Sequence, residues 1–431
     1  MLFNLSPIFA LVPLIIYIIL SFKEYNPVLS VVICVILSAI LTKQKFSDFG
    51  GIIADSLGSF LGMIGLIIML GSGLGAILQK TGVAEYFVMS LVKKIGVNNE
   101  RKAIITTMIS SMVLVSLLGT LAGSNAIIAP IIIPLVAVIG ITPSTVAVTF
   151  MGAGLTGMFI GPYTPQVVTI MGLTGLSYGS YMMAAGIPLG ILVLIITFVM
   201  ANRIQKKTVG VYAYENVEKH EGNYEASSEV KKAALAFGLS IAALIGYGIY
   251  LQSGSSYAIM VISISAAITG FAGKLKADEL IDTFVKGASR MMWLFIMFIL
   301  FNPFIEFIAG VGAFEELVSY LQPLLQSQSK VVFSFVASLT GIFGVGGAAT
   351  ADNIVMDNMF KPVLEQMSIS PSLWALILLV SGQITSFAYP EADMIGQMGL
   401  ARSKDIKNLV KYGVIVTICS VILVVIMSLF A

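Results

Sequence analysis

A hydrophobic segment broken by glycine, proline and asparagine occurs twice in this chain, and the two copies lie 228 positions apart. Between residues 124 and 162, nine positions carry the same residue as the position 228 further on, without a gap. The matched pairs include Asn125/Asn353, Gly154/Gly382 and three pairs of prolines. Because glycine and proline interrupt helices, the chain is predicted to contain two copies of one interrupted helical unit.

The composition places these units in a membrane. Of the 431 residues, 58% are hydrophobic and 11% are charged, whereas about 25% of the residues of an ordinary soluble chain are charged. Long apolar runs indicate transmembrane helices, because the strands of a membrane barrel alternate over about ten residues. We therefore expect an all-α polytopic membrane protein of the inner or plasma membrane, embedded in the lipid bilayer. The net charge of +2 gives no sign of nucleic-acid binding.

Several functional classes find no support in the sequence. Cys34 and Cys419 lie in apolar runs, and the only histidine, His220, lies in a polar stretch. Neither a disulfide nor a thiolate or histidine metal site is therefore predicted in the membrane core. There is no P-loop sequence, which argues against an ATP-driven pump. Since no nucleophile–base pair is apparent either, we expect a protein that is not an enzyme and needs no cofactor beyond a coupling ion.

Hydrophobic runs divide the chain into two similar halves. A transmembrane helix needs about 20 largely apolar residues, and the predicted spans cover about 6–22, 27–42, 57–79, 103–120, 145–161, 182–201, 233–251, 256–273, 289–309, 330–345, 372–388 and 411–430. Residues 1–201 and 233–431 are predicted to form two repeats of about five or six transmembrane helices, each with a re-entrant hairpin and a broken helix. Six spans per half would make the repeats parallel, whereas folds with central broken helices are often inverted, so their orientation stays open.

Residues 202–232 are the only long polar stretch and form the predicted linker between the repeats. The linker is rich in lysine, and the positive-inside rule therefore places it in the cytoplasm. A shorter motif also occurs twice, as Gly82-Val-Ala-Glu85 and Gly312-Ala-Phe-Glu315. Each copy stands at the start of an amphipathic stretch, 83–95 and 313–324. These stretches are predicted to be helices lying in the membrane interface.

The first pair of breaks combines glycine with polar side chains. Gly123-Ser124-Asn125 stands where a membrane helix should continue, and Asp352-Asn353 follows a glycine-rich stretch in the second copy. Irregular backbone at membrane depth is tolerated only where it is buried in protein or lines a watery cavity. Carbonyl and side-chain oxygens there suit a hard cation such as Na+. The alternative is helix packing through small residues, but two copies in register favour a site.

A second pair of breaks follows about 37 residues later. Gly161-Pro162-Tyr163-Thr164-Pro165-Gln166 corresponds to Tyr389-Pro390-Glu391-Ala392-Asp393. Proline interrupts the hydrogen-bond ladder in both segments, which leaves polar groups facing the gap. The predicted substrate-binding residues are Ser124, Asn125, Tyr163, Thr164, Gln166, Asn353 and Glu391, and the predicted cation-binding residues are Asn125, Asp352, Asn353 and Asp393.

The acidic residues of these segments lie in the second copy alone. No charged residue lies between 103 and 201, whereas 352–393 holds five acidic residues. Ionisable groups within a membrane are costly and usually functional. Asp352 adjoins the matched Asn353, and Asp393 lies close to the matched Pro390. Each of these two carboxylates is therefore predicted to bind Na+ or to take up a proton.

Two motifs resemble those of the ion transporter superfamily, which includes divalent-anion:sodium symporters, gluconate-type carriers and NhaC-type sodium–proton antiporters. Gly123-Ser124-Asn125-Ala126 and Asp352-Asn353-Ile354 are similar to the paired Ser-Asn-Thr tips of the symporters' re-entrant hairpins, and Gly161–Gln166 is similar to their proline-rich break. The resemblance implies a site between the hairpin tips and the broken helices, made of Ser124, Asn125, Thr164, Asp352, Asn353 and the backbone near Pro162 and Pro390. It also implies an elevator motion within a homodimer.

The sequence departs from the symporter pattern in two ways. Threonine is missing after both asparagines, and Asp352 stands where the pattern has serine, which argues against a dicarboxylate substrate. Two hypotheses are left open. One is a Na+- or H+-coupled carrier of a small organic acid or amino acid, and the other is a Na+/H+ antiporter without an organic substrate.

Overall fold

The computed structural model describes residues 5–23, 25–214, 225–314, 316–317, 319–320, 329–343, 349–388 and 390–430, and this part of the chain is helical without strands. The helices are α1 Val12–Phe22, α2 Pro27–Leu41, α3 Phe49–Leu57, α4 Phe60–Lys80, α5 Val83–Ile95, α6 Glu100–Leu118, α7 Leu121–Ala137, α8 Pro143–Ile160, α9 Pro165–Thr174, α10 Tyr178–Tyr181, α11 Ile187–Thr208, α12 Ser228–Tyr250, α13 Ala258–Ala272, α14 Ala277–Ser289, α15 Met292–Ala309, α16 Lys330–Leu339, α17 Ala349–Gln366, α18 Pro371–Ala388, α19 Ala392–Leu400 and α20 Ile406–Ser428. Short 3₁₀ turns occur at Pro7–Leu11, Phe46–Asp48, Ser255–Tyr257 and Thr340–Phe343, and a π-helical turn, Met182–Gly186, joins α10 to α11.

Each of the twelve predicted spans overlaps a helix of the described chain, and residues 344–345 of the span 330–345 lie outside the described residues. Eight helical segments are long and apolar enough to cross a membrane: Phe60–Lys80, Glu100–Leu118, Pro143–Thr174, Tyr178–Thr208, Ser228–Tyr250, Met292–Ala309, Pro371–Ala388 and Ile406–Ser428. The prediction of an all-α, multi-pass membrane protein is therefore confirmed. Shorter apolar helices of the described chain lie at Pro7–Tyr17, Val28–Leu41, Leu121–Ala137, Ala258–Ala272 and Lys330–Leu339. Both α7 and α17 contain prolines.

Helix ends follow from local sequence signals. Thr142 caps α8 by accepting a hydrogen bond from the backbone N–H of Thr145, and Pro143 occupies the first turn, where a missing N–H costs nothing. The α8 helix ends before Gly161, and α9 begins at Pro165. The predicted proline-rich break therefore separates two apolar helices, α8 and α9.

The helix bounds repeat at the spacing of the sequence repeat. The α8 and α18 helices begin 228 positions apart, and each is 18 residues long. The first described residues of α7 and α17 are also 228 positions apart. A helix also occupies 83–95, as predicted. The glycine-rich stretch 344–348, Tyr389 and half of 313–324, Glu315 included, lie outside the described residues. The division into two repeats and a linker, and the relative orientation of the repeats, stay predictions.

The helices pack as two bundles that meet along α4 and α5. The first bundle consists of α1–α4 and α12–α15, and the second consists of α6–α11 and α16–α20. In the first bundle, glycines bring α4 and α14 into close contact: a Cβ at Gly73 would lie 2.9 Å from the Phe284 carbonyl oxygen. Ser72 strengthens this contact by donating a hydrogen bond to the Gly287 carbonyl oxygen, 2.8 Å away.

The short helices beyond the two breaks cross between the sequence halves. From the first half, α9 packs against α17 and α18 of the second half, while α19 of the second half packs against α7 and α8 of the first. Each half therefore completes the surroundings of the other half's matched asparagine helix. This exchange places both pairs of breaks in one region of the molecule.

Candidate functional site

A cavity of about 320 Å³ lies where the two bundles meet. The first bundle contributes Ile68, Gly71 and Ser72 of α4 and the segment 291–294. The second bundle contributes the turn between α6 and α7, the ends of α8 and α18, and the starts of α9 and α17. The turn between α6 and α7 is tight because Gly119 adopts φ +70°, a conformation that glycine reaches at little cost.

Four pairs of residues at equivalent positions of the repeat, 228 positions apart, line this cavity together. The pairs are Leu121/Ala349, Ala122/Thr350, Met158/Ser386 and Pro165/Asp393. The two copies of the interrupted segment therefore share one cavity. In the last three pairs the second copy supplies the polar member, so the two sides of the cavity differ in chemistry.

Asp393 is the only charged residue among those that line the cavity in the described part of the chain. Its Oδ2 accepts a hydrogen bond from the Ser386 hydroxyl at 3.0 Å. Its backbone N–H donates to Glu391 Oε1, also at 3.0 Å, so that Glu391 caps α19. No lysine, arginine or histidine of the described residues lines the cavity, which makes the site acidic.

Two further predicted residues, Tyr163 and Gln166, line the cavity beside Asp393. The Tyr163 hydroxyl and Gln166 Oε1 are buried and have no hydrogen-bond partner among the described residues. The same holds for Oε2 of Glu391, at the position that matches Tyr163 in the repeat. Polar atoms of this kind are unusual in a finished protein interior, and they are the groups that a bound ligand or water would satisfy.

Two predicted hydroxyl residues of the first copy lie behind the cavity wall. The Ser124 hydroxyl donates to the Thr120 carbonyl oxygen at 2.6 Å, and the Thr164 hydroxyl donates to the Met158 carbonyl oxygen at 2.7 Å. Neither hydroxyl belongs to the cavity lining. Both therefore hold the irregular backbone of the breaks in this structure.

Asn125 is fully buried and joins the two halves. Its Oδ1 accepts from the Ser111 hydroxyl at 2.7 Å. Its Nδ2 donates to Gln397 Oε1 at 2.7 Å and to the Phe150 carbonyl oxygen at 3.2 Å. The amide is thus engaged by protein groups on three other helices.

The matched residues of the second copy have different surroundings. Asn353 is fully buried, and neither amide atom has a hydrogen-bond partner among the described residues. Asp352 is half-buried in the first turn of α17 and does not line the cavity. The structure therefore brings Asp393 to the cavity but places Asp352 and Asn353 beside it.

Sequence reasoning missed several polar residues of the site: Ser72, Thr120, Thr350, Thr385, Ser386 and Gln397. Thr350 and Ser386 are the partners of Ala122 and Met158 in the repeat. A comparison of unmatched positions in the two copies would have singled them out. Gln397 has no such signal, since its contact with Asn125 joins residues 272 positions apart.

Comparison with known proteins gives one family match. Residues 5–201 match the model of the Na+/H+ antiporter family, which is less than half of the chain. No curated protein matches the sequence significantly.

Two solved structures share the fold. The YdaH transporter of Alcanivorax borkumensis is 15% identical, with a TM-score of 0.62 over 94% of this chain and 98% of that one. MtrF of Neisseria gonorrhoeae, described as illuminating a class of antimetabolite efflux pumps, is 12% identical, with a TM-score of 0.64 over 94% of each chain. Membership of the ion transporter superfamily stays a prediction. The fold, the eight apolar spans and the family match together identify a multi-pass membrane protein built like known transporters.

Proposed function

We propose that this protein is a secondary active transporter that couples the movement of Na+ or H+ to that of a small organic acid or amino acid. The observation that carries the proposal is the shared cavity of about 320 Å³ at the meeting point of both breaks. That volume corresponds to roughly ten water molecules at about 30 Å³ each, which is far more than one dehydrated cation needs. It suits a small solute together with a few waters.

The polarity of the cavity favours a substrate with an amino group. Asp393 supplies a negative charge, and no basic side chain of the described residues lines the wall to neutralise a dicarboxylate. The first residues of α7 and α9 also border the cavity, and the positive ends of helix dipoles attract a carboxylate. A zwitterionic amino acid can use both features at once.

Coupling and movement follow from the same arrangement. Asp393, Asp352, Asn353 and Asn125 remain the proposed cation-binding residues, and a proton on a carboxylate is the alternative to Na+. Because the cavity lies between the two bundles, sliding of the second bundle along the first would expose it to either side of the membrane. We propose such an elevator motion, in a homodimer.

A second candidate function is Na+/H+ antiport without an organic substrate. The match of residues 5–201 to the Na+/H+ antiporter family favours it. Antiport needs carboxylates that alternate between Na+ and a proton, and Asp393 in the cavity meets that requirement.

Flux measurements on purified protein in proteoliposomes separate the two functions. With an imposed Na+ gradient and no organic solute, an antiporter changes the lumenal pH, which an enclosed dye reports. A coupled carrier leaves the dye silent under these conditions and accumulates labelled amino or organic acids when they are added with the gradient. Accumulation that is indifferent to both Na+ and pH gradients would refute both candidates.

A further inference from the structure

The α14 helix runs alongside α4 from the end of that helix to its middle. At one end, Lys80 of α4 forms an ion pair with Glu279 at 3.0 Å. Further along, a Cβ at Gly287 would lie 3.0 Å from the Cα of Gly73, so the two backbones touch there. The α4 helix is an apolar span of 21 residues, about as long as the hydrocarbon core of a bilayer is thick. The α14 helix therefore reaches from the membrane surface to mid-depth.

Arg290 follows directly after α14, at the level of the middle of α4. It lies between Gly287 and Phe295, and Phe295 packs against Gly65 in the other half of α4. The distance along the helix axis from Glu279 to Arg290 is about 16 Å at 1.5 Å per residue, which is farther than an arginine side chain extends. The guanidinium group therefore cannot reach the membrane surface from which α14 starts.

Arg290 stands at the edge of the cavity. The adjoining Met291 lines the cavity, and so do Trp293 and Leu294, three and four residues further on. The backbone of Arg290 is still helical, with φ −62° and ψ −26°, and residues three or four apart on a helix share a face. The Arg290 side chain is exposed and takes part in neither ion pair of the described residues. Its charge is therefore available to a ligand at the cavity mouth.

The exposed side of α14 divides into an apolar part and a charged part. Ile281 and Val285 are each 58% exposed, as suits side chains that face lipid. At 100° per residue, Arg290 lies about 180° around the helix from Ile281 and about 140° from Val285. A charge in contact with lipid at mid-depth is costly, and such charges face a water-filled cavity or a partner and usually have a function. Arg290 is therefore expected to face water.

We propose that the cavity has a water-filled mouth beside Arg290 and that the Arg290 guanidinium group binds the carboxylate group of the solute there. The planar guanidinium group matches a carboxylate with two parallel hydrogen bonds. The proposal rests on the transport of an amino or organic acid proposed above and adds the residue that recognises the acid group. Arg290 belongs to the first bundle and Asp393 to the second. A zwitterionic solute therefore meets a positive charge at the mouth and a negative charge on the wall of the moving bundle.

Fluorescence quenching of Trp293, in purified Trp374→Phe protein in detergent, tests the water-filled mouth and its charge. Iodide and caesium ions quench a tryptophan only where water admits them, and both should quench Trp293. In this background, Arg290→Gln should lower the iodide quenching constant about threefold, the effect of a unit charge about 6 Å away in water, and raise that of caesium. Arg290→Lys keeps the charge and should keep both constants. Arg203→Gln, at an exposed position of α11, is the control and should change neither.

Acetate is the probe for carboxylate binding. At constant ionic strength, sodium acetate in place of sodium chloride should reduce iodide quenching of Trp293 to the level of Arg290→Gln, because acetate occupies the guanidinium group. Methylammonium chloride, which has an amino group and no carboxylate, should leave iodide quenching unchanged. An acetate effect that persists in Arg290→Gln would overturn the proposal. So would a Trp293 that neither iodide nor caesium quenches, which means that this edge of the cavity is closed to water.

Failure of the carboxylate site and failure of the transport function have different signatures. In proteoliposomes with an imposed Na+ gradient, Arg290→Gln should raise the KM for uptake of a labelled amino or organic acid about 10–100-fold. Uptake by this variant with an unchanged KM refutes the role of Arg290 and leaves the transporter in place. An acetate effect that depends on Arg290, in protein that moves no solute, supports the site and refutes the proposed function.

Discussion

Asp393 is the residue on which the chemistry of the cavity depends most directly. It is the only charged residue among the described residues of the lining, and the Ser386 hydroxyl donates to its carboxylate at 3.0 Å. Either proposed role, binding a cation or carrying a proton, needs the negative charge. Neighbouring Glu391 bonds the backbone N–H of Asp393, so its carboxylate holds the start of α19 in place.

Asp393→Asn preserves the size of this side chain and removes its charge. Coupled uptake should fall about 10–100-fold, since an interaction with a charged group contributes about 1.5–3 kcal/mol. Initial rates of Na+-driven solute uptake or of pH change in proteoliposomes measure the effect. Asp282→Asn, on an exposed position of α14, is the control and should behave as wild type. Full activity of the Asp393 variant would take this carboxylate out of the mechanism.

Gly382 matters because the amide of Asn353 occupies the space that a side chain would need. In Gly382→Ala the new Cβ would lie 2.8 Å from Asn353 Oδ1, closer than real contacts allow. We expect a loss of about 1–3 kcal/mol in stability and weaker Na+ binding. Thermal unfolding in detergent checks the first effect. Gly238→Ala, on α12 with nothing within 4 Å of the new Cβ, should be neutral or stabilising by up to about 1 kcal/mol.

For single residues, the sequence predicted part of the cavity lining from polar side chains that lie in a break. Tyr163 and Gln166 adjoin prolines in a break, Asp393 lies three residues after Pro390, and all three line the cavity. Ser124 and Thr164 are also polar residues in a break, but their hydroxyls donate to nearby carbonyl oxygens. Sequence does not distinguish these outcomes, because a hydroxyl in a break can satisfy either the local backbone or a ligand.

At the scale of helices, the repeat predicted where elements begin but not how they cross. Prolines placed the starts of α8 and α18 at matching positions, since each of these prolines fits the first turn of a helix. The packing of α9 on α17 and of α19 on α7 joins segments from opposite halves. Hydrophobic periodicity reports which face of a helix is buried and carries no information about its partner, so this exchange was visible only in the structure.

The loop between α7 and α8 depends on one glutamine of α11, Gln205. Gln205 is 1% exposed. Its Oε1 accepts from the Thr142 N–H at 3.0 Å and the Thr145 hydroxyl at 2.8 Å. Its Nε2 donates to the Gly140 carbonyl oxygen at 2.8 Å. This single side chain therefore fixes the point where the first interrupted helix turns into α8.

Gln205→Leu should destabilise the protein by at least about 2 kcal/mol, because several buried polar groups lose a partner at about 1–3 kcal/mol each. The thermal unfolding midpoint in detergent measures the loss. Gln79→Leu places the same substitution on an exposed site at the end of α4 and should leave the midpoint almost unchanged. Equal midpoints for the two variants would show that the loop is held by other contacts.

For the whole molecule, the important feature is that the cavity lies between the two bundles and is lined by both. Composition alone identified a multi-pass helical membrane protein, and the repeat predicted that two breaks would meet. The contribution of α4 and of segment 291–294 to the cavity was not predicted, because these segments are apolar and carry no break. One wall of the site therefore belongs to each bundle, which is the condition for a relative movement of the bundles to expose or close it.

The two tryptophans of the chain offer a direct readout of that movement. Trp293 belongs to the first bundle, lines the cavity and is 39% exposed. Trp374 is buried in α18, where its indole N–H donates to Asp357 Oδ1 at 2.7 Å. Tryptophan emission depends on the polarity around the ring, so solute that enters the cavity, or closure of one bundle over the other, should change Trp293 alone. Trp374→Phe should keep the fluorescence change produced by a transported solute in Na+, and Trp293→Phe should abolish it. A response that follows Trp374 instead would place the ligand, or the moving boundary, inside the second bundle and away from the wall that the two bundles share.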